Sequence, residues 1–185
     1  MGSTQWRDGL PLKIINVIVY LLLLGSNIYT VAYSQADSIK QTYLTPANWA
    51  FFAWPIIHFL LLGTAIYQFT SSHAKAVVID GISWWFPLLT ILNILSATAR
   101  ANHYHTTAFD FSLLVSSTAG HIYSIIKRDH PPKFIGDYLF VHLPFSLWHE
   151  WATFLRFLTA FEAFGVDASK DHAGIWTKFF VLLTL

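Results

Sequence analysis

Apolar residues along this chain fall into six long runs separated by short polar segments. A helix of about 20 apolar residues is long enough to cross the ~30 Å hydrocarbon core of a bilayer. The runs predict helices with approximate bounds 13–33, 47–69, 81–99, 106–126, 138–164 and 173–185. The short segments between them are typical of antiparallel neighbours in a compact bundle. We therefore predict an all-α, polytopic membrane helix bundle of about six transmembrane helices, forming a single domain over residues 1–185.

The first and last runs need separate interpretation. Residues 14–33 have no small-residue cleavage pattern, which favours a first membrane span over a cleaved signal peptide. Residues 173–185 would make a helix of only ~20 Å at 1.5 Å per residue. Either this helix stops part-way through the bilayer, or the sequence continues in a longer chain, and we favour the second interpretation.

Composition agrees with a membrane location and excludes several other classes. Hydrophobic residues make up 55% of the chain and charged residues 11%, with a mean hydropathy of +0.49. About a quarter of the residues in an ordinary soluble domain are charged. The net charge of +1 provides no field that would attract nucleic acid. The absence of cysteine excludes disulfides, thiolate catalysis and cysteine–metal sites.

Lysine and arginine predict the orientation of the bundle, because they are enriched on the cytoplasmic side of membrane proteins. The N-terminal end and the segments 70–80 and 127–137 hold most of them: Arg7, Lys13, Lys75, Lys127, Arg128 and Lys133. The predicted N-terminus therefore lies on the cytoplasmic side, or on the matrix side of a mitochondrial membrane. Tryptophans near the helix starts fit interfacial belts, although some could instead line a ligand pocket: Trp49, Trp84, Trp85 and Trp176.

Ionisable residues inside the runs are the candidates for function or for buried pairing, because each costs about 2.5–3.5 kcal/mol at the centre of a membrane helix. The predicted intramembrane polar network consists of Asp110, His121, His142, Glu150, Arg156 and Glu162. His142, His149 and Arg156 are spaced by seven residues, so they share a helix face. This stripe is either a path for protons or ligand, or a structural network in which Arg156 pairs with Asp110 or Glu162.

No catalytic, metal or cofactor site is expected. An enzyme needs a nucleophile and a base within hydrogen-bond reach, and the sequence nominates no such pair. A lipid-modifying enzyme that uses His149 and Glu150 is therefore the weakest hypothesis. His142 and His149 are ~10 Å apart along a helix axis, too far for one ion with metal–nitrogen bonds of ~2 Å.

Two stretches resemble known membrane families. Residues 43–69 and 142–178 together resemble an uncharacterised family of fungal multi-pass membrane proteins. In the first stretch, Pro46, Trp49, Phe51 and Trp54 are similar to the Pro-x-x-Trp-x-Phe run of the tryptophan-rich sensory (TspO, translocator) family. In this chain Trp54 comes one residue earlier than usual, and His58 replaces the usual tyrosine. The resemblance implies a five-helix, TspO-like core in which this run borders a pocket for porphyrins or sterols.

Two functional hypotheses remain nearly equal. The first is a non-catalytic protein that binds or transports a small apolar or aromatic ligand in a pocket whose predicted lining is Trp49, Phe51, Trp54, His58, His149 and Trp151. The resemblance implies that this ligand is similar to a sterol or a porphyrin. The alternative is a structural or accessory subunit that forms a homo-oligomer or joins a larger membrane complex. In both cases membrane lipids are partners.

Overall fold

The computed structural model describes residues 9–33, 42, 44, 48–165 and 174–184. The described part is helical, and its α-helices are α1 (Leu10–Tyr33), α2 (Ala53–Thr70), α3 (Ser72–Lys75), α4 (Trp85–Ala101), α5 (His105–Asp129), α6 (Ile135–Asp137), α7 (Leu143–Phe164) and α8 (Ile175–Thr184). A 3₁₀ turn, Asn48–Phe52, leads into α2. Two of the described segments are π-helical. The first, π1 (Ala76–Ile82), precedes the break before α4. The second, π2 (Tyr138–His142), leads directly into α7.

The segment 70–80 differs most from the sequence-based prediction, which made it a loop. The structure makes it helical as α3 and π1, since its apolar side chains are buried: Ala74, Val77, Val78, Ile79 and Ile82. The chain then bends by 68° between Ile82 and Trp85. Ser83 makes this bend with a φ of 50°, in the left-handed region. The predicted start of the third helix at residue 81 therefore falls inside a bent helical pair.

Five long helices pack side by side into a closed ring. α1 contacts α2 and α4, α5 contacts α4 and α7, and α7 closes the ring against α2. Around the bundle the order is therefore α1, α2, α7, α5, α4. In the described part of the chain α8 makes no extensive contact with another element. In the part of the chain that the structure describes, five long helices thus form the ring, which is the number that the translocator resemblance implies, and the short α8 lies where the sixth helix was predicted.

The core lies where the five helices face one another. Its fully buried side chains include Leu23 on α1, Leu61 on α2 and Leu89 on α4. Phe86 makes edge-on contacts with Phe145 and Trp148, at ring-centroid distances of 5.9 and 6.3 Å. Such perpendicular packing is a preferred geometry of aromatic pairs. Trp148 has no exposed surface, and it occupies the centre of the bundle on α7.

A close contact between α2 and π2 explains how a proline is tolerated within a continuous helical stretch. Pro144 has no N–H group, so the carbonyl of Phe140 loses its usual helical partner. The hydroxyl of Thr64 donates a hydrogen bond to that carbonyl. At Gly63 a Cβ atom would overlap the ring of Phe140. Glycine is therefore required there for α2 to approach π2 this closely.

Length and composition single out fewer membrane spans than the sequence predicted. Within the described residues, Leu10–Thr30 and Trp49–Thr70 are long and apolar enough to cross a bilayer. The bent pair Ser72–Ile82 and Trp85–Ala101 adds a third if it counts as one span. α5 and α7 have 25 and 22 residues, so length is not what separates them. Both are more polar than α1 and α2 because they carry the ionisable residues that the sequence singled out.

Candidate functional site

A cavity of about 550 Å³ lies inside the ring, in the half of the bundle nearest the α4–α5 turn. All five long helices or their ends contribute to its lining. Pockets for small molecules usually measure about 300–1,000 Å³ and combine apolar walls with a few polar groups. This cavity has both features.

One wall of the cavity is aromatic. Trp54 from α2 and Trp151 from α7 lie nearly parallel, with an interplanar angle of 23° and ring centroids 6.3 Å apart. Phe51 meets Trp151 edge-on at 5.9 Å. Behind this layer Trp148 supports Trp54 at 6.0 Å. The cluster therefore presents a broad, rigid apolar surface to the cavity, suited to a flat ring system.

The opposite end of the cavity contains an ion pair between α4 and α7. Arg100 donates from Nε to both carboxylate oxygens of Glu162, at 3.0 and 2.8 Å, and from Nη2 to Oε1 at 2.6 Å. The Glu162 side chain is 2% exposed and that of Arg100 is 26% exposed. A paired guanidinium and carboxylate fix each other's geometry, so this pair holds the ends of the two helices together.

Short polar side chains line the space between these two surfaces. Ser112 and Thr159 share a hydrogen bond of 2.7 Å across the α5–α7 contact. Ser96 donates to the carbonyl of Ala108, which ties α4 to α5. Asn93 lines the cavity from α4 and is 6% exposed. These groups give the cavity hydrogen-bonding capacity without adding charge.

Of the six predicted ligand-binding residues, the structure brings Phe51, Trp54 and Trp151 to the cavity. His58 lies one layer behind, with its ring 4.9 Å from that of Trp54. Its Nε2 is 3.2 Å from the side-chain nitrogen of Asn27, which itself lines the cavity. His58 is thus placed to position cavity residues rather than to line the cavity.

The other two predicted ligand-binding residues lie elsewhere. Trp49, in the 3₁₀ turn, is 74% exposed and does not line the cavity. His149 stacks on Tyr123 of α5 at 5.2 Å, close to Gly120. Neighbours two apart on a helix point about 200° apart, so His149 and Trp151 cannot face one cavity. The structure therefore does not bring His149 to the cavity that Trp151 lines.

The predicted polar network does not form one connected cluster. Asp110, His121 and Glu150 are exposed on the outside of the bundle, with His121 against Trp85 at 4.5 Å. His142 lies in π2, at the end of the bundle away from the cavity. Arg156 lies over the ring of Phe157 at 4.9 Å. The described ion pair of Glu162 is with Arg100, which sequence reasoning did not predict.

Sequence reasoning also missed several lining residues, among them Asn27, Asn93 and Thr159. An amide in the middle of an apolar run is the signal that could have found the two asparagines, because an unpaired amide is costly in lipid. For Thr159 there is no such signal. Threonine hydroxyls bond back to their own helix, as Thr159 does to Leu155, and are common in membrane helices.

A second polar cluster lies at the opposite end of the bundle and shapes the start of α6. Asp137 is fully buried and accepts a 2.9 Å hydrogen bond from the hydroxyl of Tyr67. Its other oxygen accepts from the backbone N–H groups of Lys133 and Phe134, and lies 3.8 Å from His73 Nε2. In the described part of the chain, no three His, Asp or Glu side chains lie close enough to share a metal ion.

Comparison with known proteins gives one match. No curated protein and no solved structure matches this sequence. The model of the TSPO-like protein family, by contrast, matches residues 13–185, which include every surface of the cavity and all of the five-helix ring except the first three residues of α1. The match agrees with the helical architecture and with helices apolar enough to cross a membrane. The chain therefore belongs to the TSPO-like protein family and is an integral membrane protein of that type.

Proposed function

We propose that this protein binds or transports a small, flat, largely apolar ligand in the cavity inside the five-helix ring, and that it does so without catalysis. The observation that carries the proposal is the aromatic wall formed by Trp54, Trp151 and Phe51 in a cavity of about 550 Å³. A sterol-like or porphyrin-like molecule has the size class and the flat apolar faces that this wall would contact.

The asymmetry of the cavity supports a ligand with one polar end. The aromatic wall lies on α2 and α7, whereas the Arg100–Glu162 ion pair lies at the far end. A ligand could therefore place its ring system against Trp151 and direct its polar groups toward the ion pair. The cluster shows no nucleophile with a base within reach, which is why we propose binding rather than chemistry.

Charge distribution supports an orientation for the bundle. The end away from the cavity holds Lys75, Lys127, Arg128 and Lys133. Positively charged loops favour the cytoplasmic side, so we propose that the N-terminus and this end lie in the cytoplasm or matrix. A Lys133→Cys variant in sealed vesicles tests this, because a membrane-impermeant maleimide should label it only from that side. Labelling only from the opposite side would reverse the orientation.

The binding proposal is tested by titrating purified protein in nanodiscs with protoporphyrin IX, a flat porphyrin, and following tryptophan quenching. Trp151→Leu should raise the dissociation constant about tenfold, the equivalent of ~1.4 kcal/mol, through loss of ring stacking. Trp49→Leu is the matched control, because Trp49 is exposed and outside the cavity, and it should leave the constant unchanged. The proposal is wrong if both variants bind the porphyrin as the wild type does.

The alternative function, a structural or accessory subunit, requires a different structural feature. It needs an outer face suited to another protein rather than an occupied cavity. The quenching titration separates the two, since a purely structural subunit would show no saturable binding in wild type or in either tryptophan variant.

A further inference from the structure

An asparagine with a fixed orientation lines the cavity beside the aromatic wall. Asn27 on α1 contributes to the lining, and its side-chain nitrogen is 3.2 Å from Nε2 of His58 on α2. The ring of His58 is in turn 4.9 Å from that of Trp54. Asn27 therefore reaches the cavity next to the surface that Trp54 and Trp151 form.

Both hydrogen atoms of the Asn27 amide have acceptors within the protein. Nδ2 donates a hydrogen bond of 2.8 Å to the backbone carbonyl of Leu23. A carbonyl only accepts, so the nitrogen of the amide, and not its oxygen, lies on this side. The second hydrogen is directed at His58 Nε2, which therefore accepts as part of a neutral imidazole. Leu23 and His58 together determine which way the amide faces.

His58 is itself held in place by its neighbours. It is 7% exposed, and its ring contacts those of Tyr20 and Trp54 at centroid distances of 6.2 and 4.9 Å. The hydroxyl of Tyr20 donates a 3.0 Å hydrogen bond to the backbone carbonyl of His58, which ties α1 to α2 at this level. Close packing leaves the imidazole little freedom, so Nε2 stays in position to accept from Asn27.

The oxygen of the Asn27 amide is the acceptor that remains for a bound molecule. In the described part of the chain no hydrogen bond reaches this Oδ1 atom. The charged side chains of the described lining, Arg100 and Glu162, pair with each other at the far end of the cavity. A neutral oxygen at this position favours a neutral donor, because an ammonium group would lose its hydration there without gaining a counter-charge.

We propose that Asn27 accepts a hydrogen bond from the ligand, and that the ligand is therefore a flat, neutral ring system with a hydroxyl or N–H group at its edge. The inference rests on the proposed binding function and adds a rule of selection to it. Trp54 and Trp151 contact the apolar face of the ring, and Asn27 binds the donor. His58 is a positioning residue that acts through Asn27. A ligand that carries only an ether or ketone oxygen leaves Oδ1 without a partner and binds more weakly.

The test compares two flat, fluorescent probes that share a ring system and differ in the donor, 1-hydroxypyrene and 1-methoxypyrene. Protein in nanodiscs would be titrated with each probe at neutral pH, and energy transfer from tryptophan to pyrene would be followed. Empty nanodiscs correct for partitioning of the probes into lipid. The wild type should bind the hydroxyl probe about tenfold more tightly, as expected when one buried acceptor gains a partner. Equal dissociation constants for the two probes would overturn the proposal.

Variants assign this preference to individual residues. Asn27→Leu should bind the two probes equally, and unchanged binding of the methoxy probe shows that this variant is folded. His58→Leu should reduce the preference because it frees the amide to rotate. His58→Gln should restore it, since the side-chain oxygen of glutamine can accept from Asn27. A full preference in Asn27→Leu would overturn recognition by Asn27, and a full preference in His58→Leu would overturn the positioning role of His58.

Failure of the proposed binding function gives a different result. Trp151→Leu should weaken both probes by about the same factor and leave their ratio unchanged, because it removes ring stacking and not the acceptor. If neither probe bound the wild type saturably, the cavity would not be a site for flat ligands, and this inference would fall with it. Saturable but equal binding of the two probes would contradict the role of Asn27 alone.

Discussion

Replacing Arg100 with methionine should substantially destabilise the bundle. The substitution keeps an unbranched side chain of moderate length on α4 but removes the three charged hydrogen bonds that Glu162 accepts. Glu162 is 2% exposed, so its carboxylate would lose its guanidinium partner in a buried environment.

The magnitude follows from the burial of each partner. Removing one member of a buried ion pair costs about 3–5 kcal/mol, because the remaining charge is left uncompensated. Arg100 is 26% exposed, so water already screens part of the interaction, and we expect the lower end of the range. The predicted loss is about 3 kcal/mol, or roughly a hundredfold in the unfolding equilibrium constant. Removing both charges, as in Arg100→Met with Glu162→Leu, should bring stability back to within about 1 kcal/mol of the wild type.

The assay is reversible unfolding in mixed detergent micelles, with the free energy of unfolding measured for the wild type, both single variants and the double variant. We expect a strong favourable coupling free energy between positions 100 and 162. This expectation would be refuted if Arg100→Met were within about 1 kcal/mol of the wild type, or if the double variant were as unstable as the single one.

Three further predictions concern packing, each measured by the same unfolding assay. Trp148→Ala should cost about 3–5 kcal/mol, because it empties the centre of the bundle, and a loss under 1 kcal/mol would contradict the central position of that ring. Gly63→Ala should cost about 1–3 kcal/mol through overlap with Phe140, whereas Gly25→Ala, whose added methyl group meets open space, should be neutral or slightly stabilising. Equal effects of these two glycine changes would refute the close α2–π2 contact. Thr64→Val should cost about 1–3 kcal/mol by leaving the Phe140 carbonyl without a donor; stability equal to the wild type would show that the carbonyl has another partner.

Sequence reasoning located the long helices well because their signal is strong and local. Residues 106–126 were predicted as one helix, and α5 covers His105–Asp129. The first helix, predicted over 13–33, begins three residues earlier. The segment 70–80 was predicted as a loop because it is short and begins with polar residues, and only the burial of its apolar side chains against the other helices makes it helical as α3 and π1. The bend at Ser83 depends on one residue with a positive φ, which no periodicity reveals.

The cavity could be predicted only in part, for a geometric reason. Trp54 and Trp151 were predicted as ligand-binding residues because they are aromatic and lie within predicted membrane helices. The structure places both on one wall of the cavity. Which way a residue points depends on the rotation of its helix, and sequence periodicity did not resolve it for α7. His149 and Glu150 were therefore grouped with residues that face other directions. The Arg100–Glu162 pair required knowing that the ends of α4 and α7 come together, which is a property of the ring order.

The most direct test of the proposed ligand site is native mass spectrometry of the protein released from nanodiscs prepared with cellular lipid extract. We expect a stoichiometric non-lipid adduct on the wild type and on Trp49→Leu, and its loss in Trp151→Leu, because Trp151 lines the cavity and Trp49 does not. Spectra with lipid adducts alone, or an adduct that is equally abundant in all three proteins, would contradict binding at the aromatic wall.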